Sequence, residues 1–282
     1  MDFAGVIPVS DGSICTELSA FTIQYGKRLC DIEGRYQLIR EAEDTIVGLL
    51  HLLPSSEAKF AAFRKFLHRR SETQTYIEAS DTDNGDNMTI ETHASLEDTD
   101  AQVNDHTKLG KKALSTTPTK LILKSFRCDD LLSRETTAYE RMHKLQGIVV
   151  PEVYGGTYFD IPECDCEGEV EDLPALVLES IEGDDLHTYE TDRQHLPELA
   201  RAVEECCVRA AETGVTQWDP RLDGIFVTNS PKLTVKMIDF SHVMFDRPYT
   251  MAAARGSSDE LMLQYAAYND WEVPEDVMMW NW

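Results

Sequence analysis

The chain has 282 residues, 42% hydrophobic and 27% charged, which is enough to bury a sizeable core in one or two domains. Its 26 lysines and arginines face 51 acids, for a net charge of −25, and such a surface is repelled by phosphate backbones and anionic lipid, which argues against general nucleic-acid or membrane-surface binding. No apolar run approaches the ~20 residues of a membrane span, the start MDFAGVIPVSDGS lacks the basic and apolar regions of a secretory leader, and seven cysteines without framework spacing suit reduced thiols in the cytosol or nucleus.

Residues 41–53 (EAEDTIVGLLHLL) place Ile46, Leu49, Leu50 and Leu53 at helical spacing, and Pro54 stops the run. A second helix is predicted over 56–69, with Phe60, Phe63 and Leu67 on one stripe and a basic end (Arg64, Lys65, Arg69, Arg70) that complements the helix dipole. Residues 1–70 therefore read as an N-terminal extension with a helical hairpin. Residues 71–107 contain no lysine or arginine and ten acids. They are too poor in large apolar groups to offset their ordering entropy, so an acidic flexible linker is expected, with MTIETH as a candidate short strand.

From 119 the pattern tightens. TKLILKSF reads as a buried strand and 131–145 as a helix offering Leu131, Leu132, Ala138, Met142 and Leu145 to one face. VVPEVYGG and ALVLESI read as strands separated by the acidic loop DIPECDCEGEVED. Pro197 starts a helix to about Glu212, with Leu199, Val203, Cys206 and Ala210 inward and Gly214 as its stop. Short strands follow around IFV and VKMIDF, then a helix carrying Leu261, Tyr265 and Tyr268. Cys164-x-Cys166 and Cys206-Cys207 lack the usual metal spacing and read as partly buried thiols. Trp271 and Trp280 are expected to cover the C-terminal part of the fold, the alternative being an exposed partner patch.

The order of these pieces carries the chemistry. A strand lysine (Lys124) precedes a helix acid (Glu135). An apolar strand runs into Glu-x-x-x-Gly (LVLESIEGDDL), a loop holds WDPRLDG, and a last apolar strand ends in Asp-Phe (VKMIDFS). Over roughly 119–245 this resembles the protein-kinase-like superfamily, most nearly small fungal kinase-like proteins related to the aminoglycoside-phosphotransferase branch. The resemblance implies an α+β, two-lobed protein-kinase-like fold with a reduced C-terminal lobe. Residues 108–182 would form the small lobe and 183–282 the large one. The first small-lobe strands lie either in 14–29 or within 73–93.

The resemblance also implies roles. Lys124 would grip nucleotide phosphates while Glu135 fixes it by an ion pair. The C=O of Glu179 and N–H of Ile181 would meet the adenine edge, and Asp185 the ribose. Asp219 would orient a substrate hydroxyl, with Arg221 near the γ-phosphate. Asp239 would hold Mg²⁺, with Asp223 standing in for a lost asparagine. Departures accumulate: Gln217 replaces a histidine, Gly224 the metal-binding asparagine and Ser241 the glycine after Asp-Phe, and no glycine-rich phosphate loop precedes Lys124. The expected function is therefore a pseudokinase with weak or vestigial ATP and magnesium binding and an unknown protein partner. The alternative is an active ATP-dependent phosphotransferase acting on a small molecule or protein hydroxyl.

Overall fold

The computed structural model describes residues 18–41, 44–80, 119–160, 172–228, 232–245 and 250–271. Its first half is a closed six-stranded barrel of antiparallel neighbours in the order β1 (Leu18–Tyr25), β2 (Arg28–Glu41), β3 (Thr45–Leu52), β4 (Lys120–Phe126), β6 (Asp172–Glu179) and β5 (Val153–Asp160). The first strands thus lie in the region of 14–29 and extend well past it. The barrel closes where Gln24 of β1 meets Gly156 of β5. Beside that seam a bulge separates Val153 from Gly155. Gly155 has φ +139°, and a Cβ there would stand 2.3 Å from the Gln24 carbonyl oxygen, so closure needs glycine at this point.

Residues 45–52 form a strand, which corrects the helix expected over 41–53 and with it the helical hairpin. The same letters satisfy two periods. Ile46, Leu49, Leu50 and Leu53 fit a helix, but Ile46, Gly48, Leu50 and Leu52 fit alternation, and these four are the buried ones. Consecutive β-branched residues at 45–47 and a glycine at 48 favour the strand. The Tyr36 ring lies over Gly48, where a Cβ would come within 1.9 Å of it. Pro54 does not follow a helix; it begins α1 (Pro54–Ser80), a position where its missing N–H is harmless. This helix continues ten residues into the stretch expected as a linker. The rest of that stretch, with MTIETH, lies outside the described residues, as do Cys164, Cys166 and Trp280.

β4 and β6 each serve two cores. Leu121 and Leu123 of β4, with Ala175 and Val177 of β6, face the barrel interior, where they meet Phe21, Ile32, Leu50 and Tyr154 and the α1 rings Phe60 and Phe63. The alternate residues Ile122, Phe126, Leu176 and Leu178 face outward into a second cluster. That cluster is built by α2 (Asp129–Arg141), α3 (Leu196–Glu212) and α4 (Thr250–Tyr268). It also takes in the small sheets β7 (Asp184–Asp185), β9 (Ile225–Thr228), β10 (Thr234–Met237), and β8 (Val215–Gln217) with β11 (Val243–Phe245). Leu199, Val203, Cys206 and Ala210 of α3 are buried as their spacing requires, and Gly214 adopts φ +80° just past the helix end. Trp271 meets Tyr265 edge-on at 5.8 Å. No helix among the described residues is long and apolar enough to cross a membrane.

Candidate functional site

Lys124 sits on the outward face of β4, between Ile122 and Phe126, so strand alternation keeps its ammonium out of the barrel. It points at α2, where Glu135 is fully buried. Its Nζ donates to Glu135 Oε2 at 2.5 Å and to Asp239 Oδ1 at 2.8 Å. Burial alone would pull the lysine pKa down; the two carboxylates outweigh it and raise the pKa. Burial pushes Glu135 up to about 7, against the pull of Lys124 and with the added repulsion of Asp239. For Asp239 burial also acts upward, but the Lys124 charge, its hydrogen bond and one from Ser241 Oγ hold the carboxyl well below the usual range. One buried cation thus serves two acids, and the weaker of the two sits close to neutral pH.

Asp239 follows β10 in a left-handed conformation, φ +65°, which a non-glycine residue adopts only when its surroundings enforce it. Gln217 supplies part of that enforcement. Its Nε2 donates to the carbonyls of Ile238 (2.9 Å) and Asp239 (3.1 Å). The replacement at Gln217, read from sequence as a loss, keeps a hydrogen bond to this loop. Phe240 is buried edge-on against Tyr139 of α2 at 5.2 Å, which fixes the chain beyond Asp239.

A second ionic group faces this triad. Tyr36 and Leu38 of β2 point into the barrel, and plain alternation would send Arg40 after them. A bulge between Leu38 and Arg40 shifts the register, so Arg40 pairs with Val47, which pairs with Lys124. Arg40 therefore shares the outward face of Lys124. Its Nη1 donates to Asp223 Oδ2 at 2.7 Å, and its charge helps lower the Asp239 pKa. Arg221 flanks the same carboxylate at 3.3 Å. Sequence reading missed Arg40, because only the strand assignment and its bulge reveal the direction of the side chain.

These pairings bear on magnesium, which needs oxygen donors free to turn toward it. Asp223 is held by two guanidinium groups, Asp239 Oδ1 already accepts two hydrogen bonds, and Gly224 has no side-chain oxygen. Among the described residues no three His, Cys, Asp or Glu side chains gather to hold a metal. The donor set as it stands does not fit the ion. Asp219, beyond β8, is exposed and has no ion pair among the described residues.

The remaining expected site residues lie at the end of β6 and just beyond it. Glu179 ends β6, where its carboxylate accepts from Lys236 Nζ at 2.6 Å and from the Glu152 N–H at 3.0 Å, a cross-link between the barrel and β10. Ile181 lies just beyond in irregular backbone. Asp185 caps a turn, with Oδ1 accepting from the Thr188 N–H and hydroxyl, both at 2.9 Å. Cys206 and Cys207 are free thiols, and burial pushes Cys207 up to about 12. Both are buried, as their reading as buried thiols expects.

No family model matches the chain, and no curated protein matches it. Among solved structures it is similar to the Rio2 kinase of Chaetomium thermophilum, in the crystal structure of its ADP/Mg²⁺–phosphoaspartate complex, with 14% identity and a TM-score of 0.38 over 54% of this chain and 48% of that one. The chain spans about half the length of that structure.

Proposed function

We propose that this protein is a degenerate member of the protein-kinase-like superfamily, a pseudokinase that binds nucleotide weakly and acts through regulation or interaction. The observation that carries this reading is the buried Lys124–Glu135 ion pair with Asp239, partly exposed, bonded to the same ammonium. A strand lysine fixed by a helix glutamate and facing the acid of Asp-Phe is the arrangement that holds phosphates in such folds. The barrel with α2 is read as the small lobe and α3, α4 and the small sheets as the large one, with the chain at 180–183 as the hinge between them. The departures are read as loss of turnover: Gly224 offers no metal ligand, and the sequence between β2 and β3 carries Glu41, Glu43 and Asp44 in place of a glycine-rich run. Acids there repel the phosphates that a glycine loop would cradle.

An active phosphotransferase is the second reading, favoured by Asp219, whose exposed carboxylate has no ion pair among the described residues and can meet a hydroxyl. Thermal melts with ADP and ATP, each in EDTA, Mg²⁺ and Mn²⁺, followed by an ATP hydrolysis assay, separate the two. The pseudokinase reading expects a small nucleotide-dependent rise in melting temperature, abolished by Lys124→Met, with no hydrolysis. Turnover that disappears in Asp219→Asn would establish the second reading. A melt that no nucleotide moves would overturn both.

A further inference from the structure

We propose that Arg40 is a tethered cation that takes the place of the divalent ion in this cleft, so that Arg40 and Lys124 together hold a phosphate-bearing ligand without metal. The inference rests on the reading of the cleft as a nucleotide site, and four observations point to it. The bulge in β2 has one evident effect, which is to turn Arg40 from the barrel interior to the face that carries Lys124. The guanidinium meets Asp223, the acid best placed in sequence to replace the missing asparagine, at 2.7 Å. Arg40 Nε is buried with no hydrogen-bond partner among the described residues, an unsatisfied donor next to the cleft acids. The Arg40 side chain is nonetheless 30% exposed, so its charge is open to a ligand on one side.

A magnesium ion in such sites neutralises acid side chains and phosphate oxygens at once. A guanidinium does the same with fixed geometry, binding a carboxylate on one edge and phosphate oxygens on another. With Asp223 paired to Arg40 and Asp239 to Lys124, a divalent ion would have to displace an arginine to enter. The cleft is thus built for the phosphate and closed to the metal.

The test compares wild type with Arg40→Gln, Arg40→Lys and the double variant Arg40→Gln/Asp223→Asn. Two quantities are measured on each full-length protein: Mn²⁺ uptake without nucleotide, and ADP affinity by calorimetry in EDTA and in Mg²⁺. Wild type is expected to take up no Mn²⁺ and to bind ADP equally with and without Mg²⁺. Arg40→Gln should lose ~10-fold in ADP affinity in EDTA, recover it in Mg²⁺, and take up Mn²⁺; the double variant should lose that uptake. Arg40→Lys, which keeps the charge but not the fork, tests the same point if the glutamine variant fails to fold, and should fall between. Equal Mn²⁺ uptake by wild type and the Arg40 variants overturns the tethered cation. So does wild-type ADP binding that requires Mg²⁺. If no protein binds ADP but Arg40→Gln alone gains Mn²⁺, the nucleotide reading fails and the tethered cation stands.

Discussion

Replacing Lys124 with methionine removes the ammonium that bonds both Glu135 and Asp239 and leaves a side chain of similar length. Glu135 is fully buried, so the variant must keep a carboxylate in the core beside a second one. Breaking a buried pair by removing one partner costs ~3–5 kcal/mol, and here the cost depends on pH. In the wild type Glu135 is raised from 4.5 to about 7. Its contribution is fully present below 4.5 and is lost as pH rises through about 7, a change on the order of 3 kcal/mol. Asp239 is shifted the other way; its contribution is present above 3.8 and is lost only as pH falls below that. Between pH 5 and 8, therefore, Glu135 is the member of the triad that changes. Without Lys124, burial and Asp239 push Glu135 higher still, so the variant should stay nearer to wild type at pH 5 and fall furthest behind at pH 8. Urea unfolding of both proteins at pH 5, 6, 7 and 8 measures this directly. A cost that is equal across the series, or under about 1 kcal/mol throughout, would refute the buried triad.

Gln217→Ala should cost roughly 2 kcal/mol in denaturant unfolding, because it strands two carbonyls beside the left-handed Asp239, and Gln217→His should restore much of it. Gly155→Ala should cost roughly 3 kcal/mol and speed hydrogen exchange along β1, since the new Cβ collides with the Gln24 carbonyl at the barrel seam; exchange unchanged from wild type would count against the closure described. Gly224→Asn should fold normally, because a Cβ there meets only the Ile238 oxygen at 3.5 Å. In the Arg40→Gln background it should tighten Mg²⁺-dependent ADP binding by ~10-fold, and Asp239→Ala should erase that gain.

Lys124 and Glu135 were legible in the sequence because each sits in an unambiguous element. Lys124 lies in a run too apolar to be anything but a buried strand, and Glu135 lies on a helix with clear periodicity. Residues 45–52 were illegible for the opposite reason: five apolar side chains in eight positions fit either period, and only pairing with β2 on one side and β4 on the other decides between them. Arg40 was lost with them. A side chain whose direction depends on one inserted residue in a strand cannot be placed until the partner strand is known. The sequence also hid that the Asp185 carboxylate closes a turn and the Glu179 carboxylate cross-links the barrel to β10, because those partners are set by local backbone and tertiary contacts.

The two-sided β4 gives Lys124 a task unrelated to any ligand. Slipping this strand by one residue against its neighbours would turn Leu121 and Leu123 outward and drive the lysine ammonium into the barrel among Phe21, Leu50 and Tyr154. An unpaired charge there would cost several kcal/mol, more than most other errors of pairing. Lys124 therefore excludes the competing register while the chain folds, much as a keyed plug admits only one orientation. A protein that had given up phosphate chemistry altogether would still need this lysine, and the glutamate that receives it, to find its own structure.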